Sequence, residues 1–332
     1  MVTTLAAEWR QVHTRIGIER ANAIAAHLEV RMVLEGDAKL REWGVDTVLI
    51  GSYKRKTAIY PCKDVDVFVK LPKAPDDATP ELVFTEVQRA LVSHFGEQRA
   101  TEQRRSMKVS GFADDLTVDA VPAVPDGARW KIPQTDTARV GDRWVKDRWE
   151  TTDPERLTDL TDERQKASSV IDADHSYLRT VRIVKQIRDA HIGRDNKPSG
   201  LYFELLTYWA FVGDTAADSY VELLVPVLEA IAIRLSSGVI VTEPAMNQPY
   251  APAPAPEDLA RAATVFTTLA ADARRALTLD DCEAAVVWRR MLGQNDKVGW
   301  VFPIPPGCSE TGQRLVPIAN PDRGSNRDRG FA

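Results

Sequence analysis

Three aspartates and a glycine-serine pair are the residues of this sequence whose types and spacing could do chemistry together. Asp64 and Asp66 are one residue apart in the run Asp64, Val65, Asp66, Val67, Phe68, Val69. In an extended strand that spacing sets both carboxylates on one face and the valines on the other. Asp119 stands in a second apolar run over 116–121, which can lie beside the first. Three crowded carboxylates repel unless cations neutralise them, and two Mg2+ ions roughly 3.5–4 Å apart are the usual arrangement for in-line phosphoryl displacement. Mn2+ could replace them. One ion would lower the pKa of an attacking hydroxyl while the other held a triphosphate and its departing pyrophosphate. Asp119 belongs on the nucleophile side, as metal ligand or proton acceptor. Gly51 and Ser52 add a phosphate contact, because glycine lets a phosphate approach the backbone and the Ser52 hydroxyl can donate to it. An Asp-x-Asp alone is a weak signal. The bland alternative is a solvated edge strand, with Asp119 paired to Arg104 or Arg105.

The elements that must position these residues follow from periodicity. The first forty residues read as helix, with Ile24, Leu28 and Met32 recurring at i+4 and a stop at Gly36. Thr47, Val48, Leu49 and Ile50 form a buried strand that delivers the chain to Gly51 and Ser52. The two aspartate strands follow, closed by Pro72 and Pro122, with a helix over 81–95 between them. From Pro125 to Lys166 the chain is polar and turn-rich, anchored by Trp130, Trp144 and Trp149. Helices are expected over 174–190, 201–212, 256–276 and 279–292, the third preceded by an Ala-Pro connector over 251–256. In the first of these, Leu178, Val181 and Val184 make an apolar stripe, and Arg179, Arg182, Lys185 and Arg188 make a cationic one. The expected division is a catalytic lobe with an N-terminal helix over 1–166, a helical second lobe over 167–302, and a flexible tail over 303–332.

Bulk properties narrow the function. The formal net charge is −5, which gives no global field to hold a nucleic-acid duplex. No apolar run approaches the roughly 20 residues of a membrane span, and Glu8, Trp9 and Arg10 do not suit a signal peptide. Three cysteines without paired spacing argue against a disulfide framework or zinc ribbon and suit a cytoplasmic protein.

The segment GSYKRKTAIYPCKDVDVFV (51–69) resembles the signature of DNA polymerase β-like nucleotidyltransferases. More narrowly, its Arg55-x-Thr57-x-Ile59 spacing resembles the cGAS/DncV-like nucleotidyltransferases of bacterial anti-phage systems, relatives of oligoadenylate synthases. VDAVPAV (118–124) is similar to their third-aspartate strand and WETTDPE (149–155) to a segment after it. YLRTVRIVKQIRDA resembles the helix whose lysine, here Lys185, binds the triphosphate, and LYFELLTYWAF resembles a buried helix of the second lobe. Many such proteins place a phosphate-touching serine near position 200; Gly200 stands there, with Ser199 beside it.

The resemblance implies an α+β, bilobed protein: a polymerase β-like sheet lobe against an oligoadenylate-synthase-like helical lobe. It implies catalysis at Asp64, Asp66 and Asp119, and nucleotide contacts from Gly51, Ser52, Lys185 and Ser199. The activity implied is Mg2+-dependent joining of nucleoside triphosphates into cyclic di- or trinucleotides, with release of pyrophosphate. A linear nucleotidyltransferase, of the oligoadenylate synthase or antibiotic adenylyltransferase type, and a catalytically silent nucleotide sensor are the alternatives. Duplex nucleic acid is not expected as an activator, since the zinc insertion of the animal sensor is absent. A tail over 321–332 with little to bury is expected to be mobile, and could be read by an operon-encoded activating or conjugating partner.

Overall fold

The alternation in the second strand decides where the first core forms. Val65, Val67 and Val69 are all fully buried, each contributing about 1.5–3 kcal/mol of apolar transfer, so helices must cover their face. A computed structural model describes residues 5–18, 20–134, 139–140, 143–144, 146–212 and 217–315, the pairs 139–140 and 143–144 as backbone only. The chain opens with α1 (Ala6–Arg15), and its sheet lobe then runs α2 (Ala21–Gly36), α3 (Ala38–Glu42), β1 (Asp46–Ile50), α4 (Gly51–Lys54), β2 (Asp64–Lys70), α5 (Pro80–Phe95), β3 (Ala100–Glu102), β4 (Met107–Val109), β5 (Thr117–Asp126) and β6 (Arg129–Gln134). The strands lie in the order β1-β2-β5-β4-β3, with β6 pairing both β5 and the strand Arg148–Thr152. Only β2 and β5 are parallel, and the other pairs of this sheet are antiparallel.

A parallel pair needs a crossover, and α5 lies within it. Thr79 caps α5 by accepting from Leu82 N at 3.2 Å, and Pro80 occupies the first turn, where its missing donor costs nothing. Val30 and Leu34 of α2 join Phe84, Val87 and Leu91 of α5 against the valine face. The other face of β2 and β5 is left for the acids.

α2 forms as expected but not on the expected stripe. Ile24, Leu28 and Met32 are exposed, Met32 by 65%, whereas Ala23, Ala26, Val30 and Leu34 are buried. The two small alanines let the helix lie close to its neighbours. The turn-rich reading of 125–166 also needs correction. It holds β6, the strand Arg148–Thr152 and α6 (Pro154–Ala167), a helix capped by Asp153 through Arg156 N at 2.9 Å. Only Leu157, Thr158 and Thr161 of α6 are buried, too few for a clear apolar period. Phe68 packs edge-on to Trp130 at 6.0 Å and Lys131 sits over Trp149 at 5.0 Å; the Trp144 side chain lies outside the described residues.

The helical lobe contains α7 (Tyr177–His191), α8 (Gly200–Ala210), α9 (Tyr220–Ser236), α10 (Pro256–Ala276) and α11 (Asp281–Leu292). α7 begins three residues later than expected because Asp174 and His175 pair with Ile171 and Val170. α9, with Pro226 inside it, was not singled out by the sequence. The N-terminal helix packs here, not with the sheet: Trp9 meets Trp288 and Phe302 edge-on, each at 5.1 Å.

The expectation of unpaired cysteines fails for two of them. Cys282 and Cys308 form a disulfide with Cα atoms 5.3 Å apart, across 26 positions that spacing alone could not connect. This bond, with Gly312 against Glu283, ties the chain after 303 to α11 as far as the described residues reach, at 315. The tail over 321–332 lies outside them. Among the described residues no helix is long and apolar enough to cross a membrane.

Candidate active site

β1 ends with Ile50 opposite Asp66, so the next residue, Gly51, meets the Asp66 side chain. Its φ is +71°, and a Cβ at this position would fall 1.8 Å from Asp66 Oδ2. Only glycine accepts both the backbone and the contact. Asp66 is in turn the register partner of Asp119 across the parallel β2–β5 ladder. Adjacent strands are about 4.8 Å apart and partners point to the same face, so the two carboxylates are lateral neighbours. Asp64, two residues earlier on that face, is exposed at the rim.

The electrostatics record the crowding. Burial, then the charge of Asp64, pushes Asp66 up to about 6, against the opposing pull of Arg55 and Lys185. Burial, then Asp66 and Asp64, pushes Asp119 up to about 7, with only Lys108 opposing. Lys108 is its register partner on β4. Arg105 is ion-paired with Glu150 at 2.9 Å, not with Asp119, whose Oδ1 is buried with no hydrogen-bond partner among the described residues.

Ser52 lies where the sequence reading put it. Its carbonyl closes the turn by accepting from Thr57 N at 2.9 Å and Ala58 N at 3.1 Å, while its half-buried hydroxyl has no partner among the described residues. Lys185 is not on a solvated stripe. It is buried, donates from Nζ to the Thr57 carbonyl at 2.9 Å, and has its pKa lowered by burial. Arg188 is buried too, donating to the carbonyls of Pro198 and Arg194. Ser199 caps α8 by accepting from Tyr202 N at 3.3 Å, and its hydroxyl lies 3.0 Å from the Tyr250 hydroxyl. Gly200 packs against Lys185, where a Cβ would stand 3.2 Å from Cε, so the start of α8 borders the same cleft.

Residues 4–165 match the Second Messenger Oligonucleotide or Dinucleotide Synthetase domain. The chain is similar to the cGAS/DncV-like nucleotidyltransferases. It is 27% identical over 288 residues to the cyclic AMP-AMP-AMP synthase of Acinetobacter sp. (strain ATCC 27244 / 9458), covering 81% of this chain and 78% of that one. Its fold is similar to the Bradyrhizobium diazoefficiens CD-NTase CdnG solved with GTP, with TM-score 0.68, 14% identity, and 87% and 96% of the two chains covered. It is also similar to CdnC in the E. coli MS115-1 CdnC:HORMA-deltaN complex, with TM-score 0.66, 16% identity, and 88% and 97% covered.

The acids of this cleft fit a divalent cation. A lone buried Asp119 oxygen beside a carboxylate whose ionisation is held back by its neighbours is an incomplete site of hard oxygen donors, the ligand type of Mg2+ and Mn2+. Among the described residues no three acidic, histidine or cysteine side chains already close on one point. The open arrangement suits Mg2+, which is commonly held by one or two carboxylates with substrate phosphates completing its shell.

One buried acid at the cleft escaped the sequence reading. Glu204 Oε1 receives Arg55 Nε at 2.6 Å, and Oε2 receives the Thr57 hydroxyl at 2.8 Å. The signal was present: a lone acid in the apolar run Leu201 to Phe211 must find a partner if the helix is buried.

Proposed function

We propose that this nucleotidyltransferase links nucleoside triphosphates into a cyclic oligonucleotide signal, with ATP as a substrate, in anti-phage defence. The observation that carries the transfer reading is the Asp66–Asp119 pair beneath Gly51 and Ser52. The similarity to a cyclic AMP-AMP-AMP synthase supports the cyclic product and the choice of ATP.

Divalent cations held by Asp64, Asp66 and Asp119 would supply charge neutralisation for the phosphates and acidify a bound hydroxyl. The remaining work belongs to the chain. Gly51 leaves the cleft floor open to the triphosphate, and the Ser52 hydroxyl donates to a phosphate oxygen. Lys185, held against Thr57, places a positive charge near Asp64 and Asp66, where it offsets the phosphate charge. Asp119, on the nucleophile side of the cleft, would bind a cation there or take the proton of the attacking ribose hydroxyl. Ser199 acts through the start of α8, which it caps. The protein needs no duplex nucleic acid, in keeping with its net charge of −5.

Product analysis tests this. Labelled triphosphates with Mg2+, singly and in combination, should yield a phosphatase-resistant product whose mass fits a ring. A phosphatase-sensitive 5′-triphosphate product would overturn the ring and leave the transfer. No pyrophosphate from any combination would overturn both.

A further inference from the structure

Residues 55–63 join the Gly51 and Ser52 turn to Asp64, and the helical lobe holds this segment from behind. Glu204 receives Arg55 and Thr57, as described. Lys185 donates to the Thr57 carbonyl at 2.9 Å. Arg194 donates to the carbonyls of Tyr60, at 2.9 Å, and Pro61. The Arg55 and Glu204 side chains are 4% and 3% exposed. Burial alone would lower Arg55 and raise Glu204, but each is driven the other way by its partner, so the pair is ionic.

A buried pair of this kind is a poor source of stability, because desolvation cancels much of the attraction and apolar side chains of similar volume often serve as well or better. What it gives instead is geometry. Glu204 offers two acceptors fixed in one plane, one for the guanidinium and one for the Thr57 hydroxyl. Arg55 and Lys185 are the two cations that act on Asp66, and Glu204 is the anion that acts most on Lys185.

We propose that Glu204 is a positioning residue for the transfer reaction: its two carboxylate oxygens fix residues 55–63, so that Ser52 and Asp64 at either end keep one separation and Arg55 and Lys185 stay beside Asp66. Glu204 touches no substrate, and its role rests on the transfer reading of the site.

The test combines kinetics with amide hydrogen exchange, which reports local opening without requiring activity. In Glu204→Gln, kcat should fall at least ten-fold, with KM for ATP changed less than three-fold. Exchange over 51–63 should quicken at least ten-fold while that of α9 and α10 stays the same. The double variant Arg55→Met with Glu204→Met removes both charges and should regain the wild-type Tm within a few degrees while kcat stays at least ten-fold down. Recovery of wild-type kcat together with Tm would reduce the pair to a stability role and overturn the proposal, as would unchanged exchange over 51–63 in Glu204→Gln. Should Glu204→Gln fail to fold, the double variant decides. Wild-type protein that releases no pyrophosphate overturns the transfer reading itself, whereas rapid turnover by the double variant overturns only the role of Glu204.

Discussion

Asp66 and Asp119 are register partners on the parallel strands β2 and β5, and the charge of Asp66 holds back the ionisation of Asp119 beyond what burial alone does. The Asp66 value of about 6 and the Asp119 value of about 7 both lie above the 3.8 of an unperturbed aspartate. In the folded protein the charged forms are disfavoured. Without cations, ionisation therefore costs stability progressively as pH rises from about 4 to about 7.

Replacing either partner with asparagine should raise metal-free stability at pH 8 by roughly 1–3 kcal/mol, a few degrees in Tm, and by less at pH 5. Mg2+ should raise the wild-type Tm at pH 8 and leave the Asp66→Asn Tm nearly unmoved. Thermal melts at both pH values, with and without Mg2+, check this. A wild-type Tm indifferent to pH, to Mg2+ and to the substitutions would contradict it.

Gly51→Ala tests the floor of the cleft. The added methyl must displace the Asp66 carboxylate, and the left-handed backbone costs an alanine about 1–2 kcal/mol more than a glycine. Turnover should fall at least a hundred-fold with only a modest loss of Tm. Near wild-type turnover would mean that Asp66 can move without consequence.

Ser52→Ala and Lys185→Ala should part company. Ser52→Ala removes a hydroxyl without a partner among the described residues, so Tm should hold while triphosphate use weakens by about ten-fold or more. Lys185→Ala also strips a donor from the Thr57 carbonyl, so both Tm and triphosphate use should fall. Steady-state kinetics paired with melts separate the two. Wild-type kinetics with a lowered Tm for Lys185→Ala would leave that lysine structural alone.

His13 gives an acid-side prediction in the helical lobe. Burial, then Arg179 and Arg182, lowers it from 6.5 to about 3, and it packs on Tyr220 at 4.7 Å. Its neutral ring favours the fold fully above pH 6.5, and that contribution is lost as pH falls from 6.5 toward 3, by up to roughly 2 kcal/mol at pH 5. His13→Phe should flatten the loss of Tm between pH 7 and pH 5. An equal loss in the variant would place the acid sensitivity elsewhere.

The sheet and its acids were legible because a period-2 alternation with two aspartates on one side leaves little freedom. Val65, Val67 and Val69 had to be buried together, and that set Asp64 and Asp66 on the opposite face. α2 was legible as a helix but not in its orientation, since Ile24, Leu28 and Met32 outscore Ala23 and Ala26 in hydropathy yet only the alanines allow close packing. Lys185 was legible as a nucleotide contact and Arg188 only as part of a cationic stripe, because sequence shows a cation's spacing and not the carbonyls of Thr57 and Pro198 that receive these side chains. Glu204, Arg55 and Thr57 lie on different lobes, and the Cys282–Cys308 bond joins a helix to a turn-rich segment. Such pairings depend on tertiary contact, which no local period encodes.

Pyrophosphate release from the four nucleoside triphosphates with Mg2+, comparing wild type with Asp64→Asn, Asp66→Asn, tests the acid site most directly. The two carboxylates carry the metal-binding charge on β2, and losing such charge costs several kcal/mol of transition-state stabilisation. The wild type should release pyrophosphate with at least one triphosphate or pair, and the double variant should fall at least a thousand-fold while keeping its fold. A double variant that releases pyrophosphate at near wild-type rate would contradict the account.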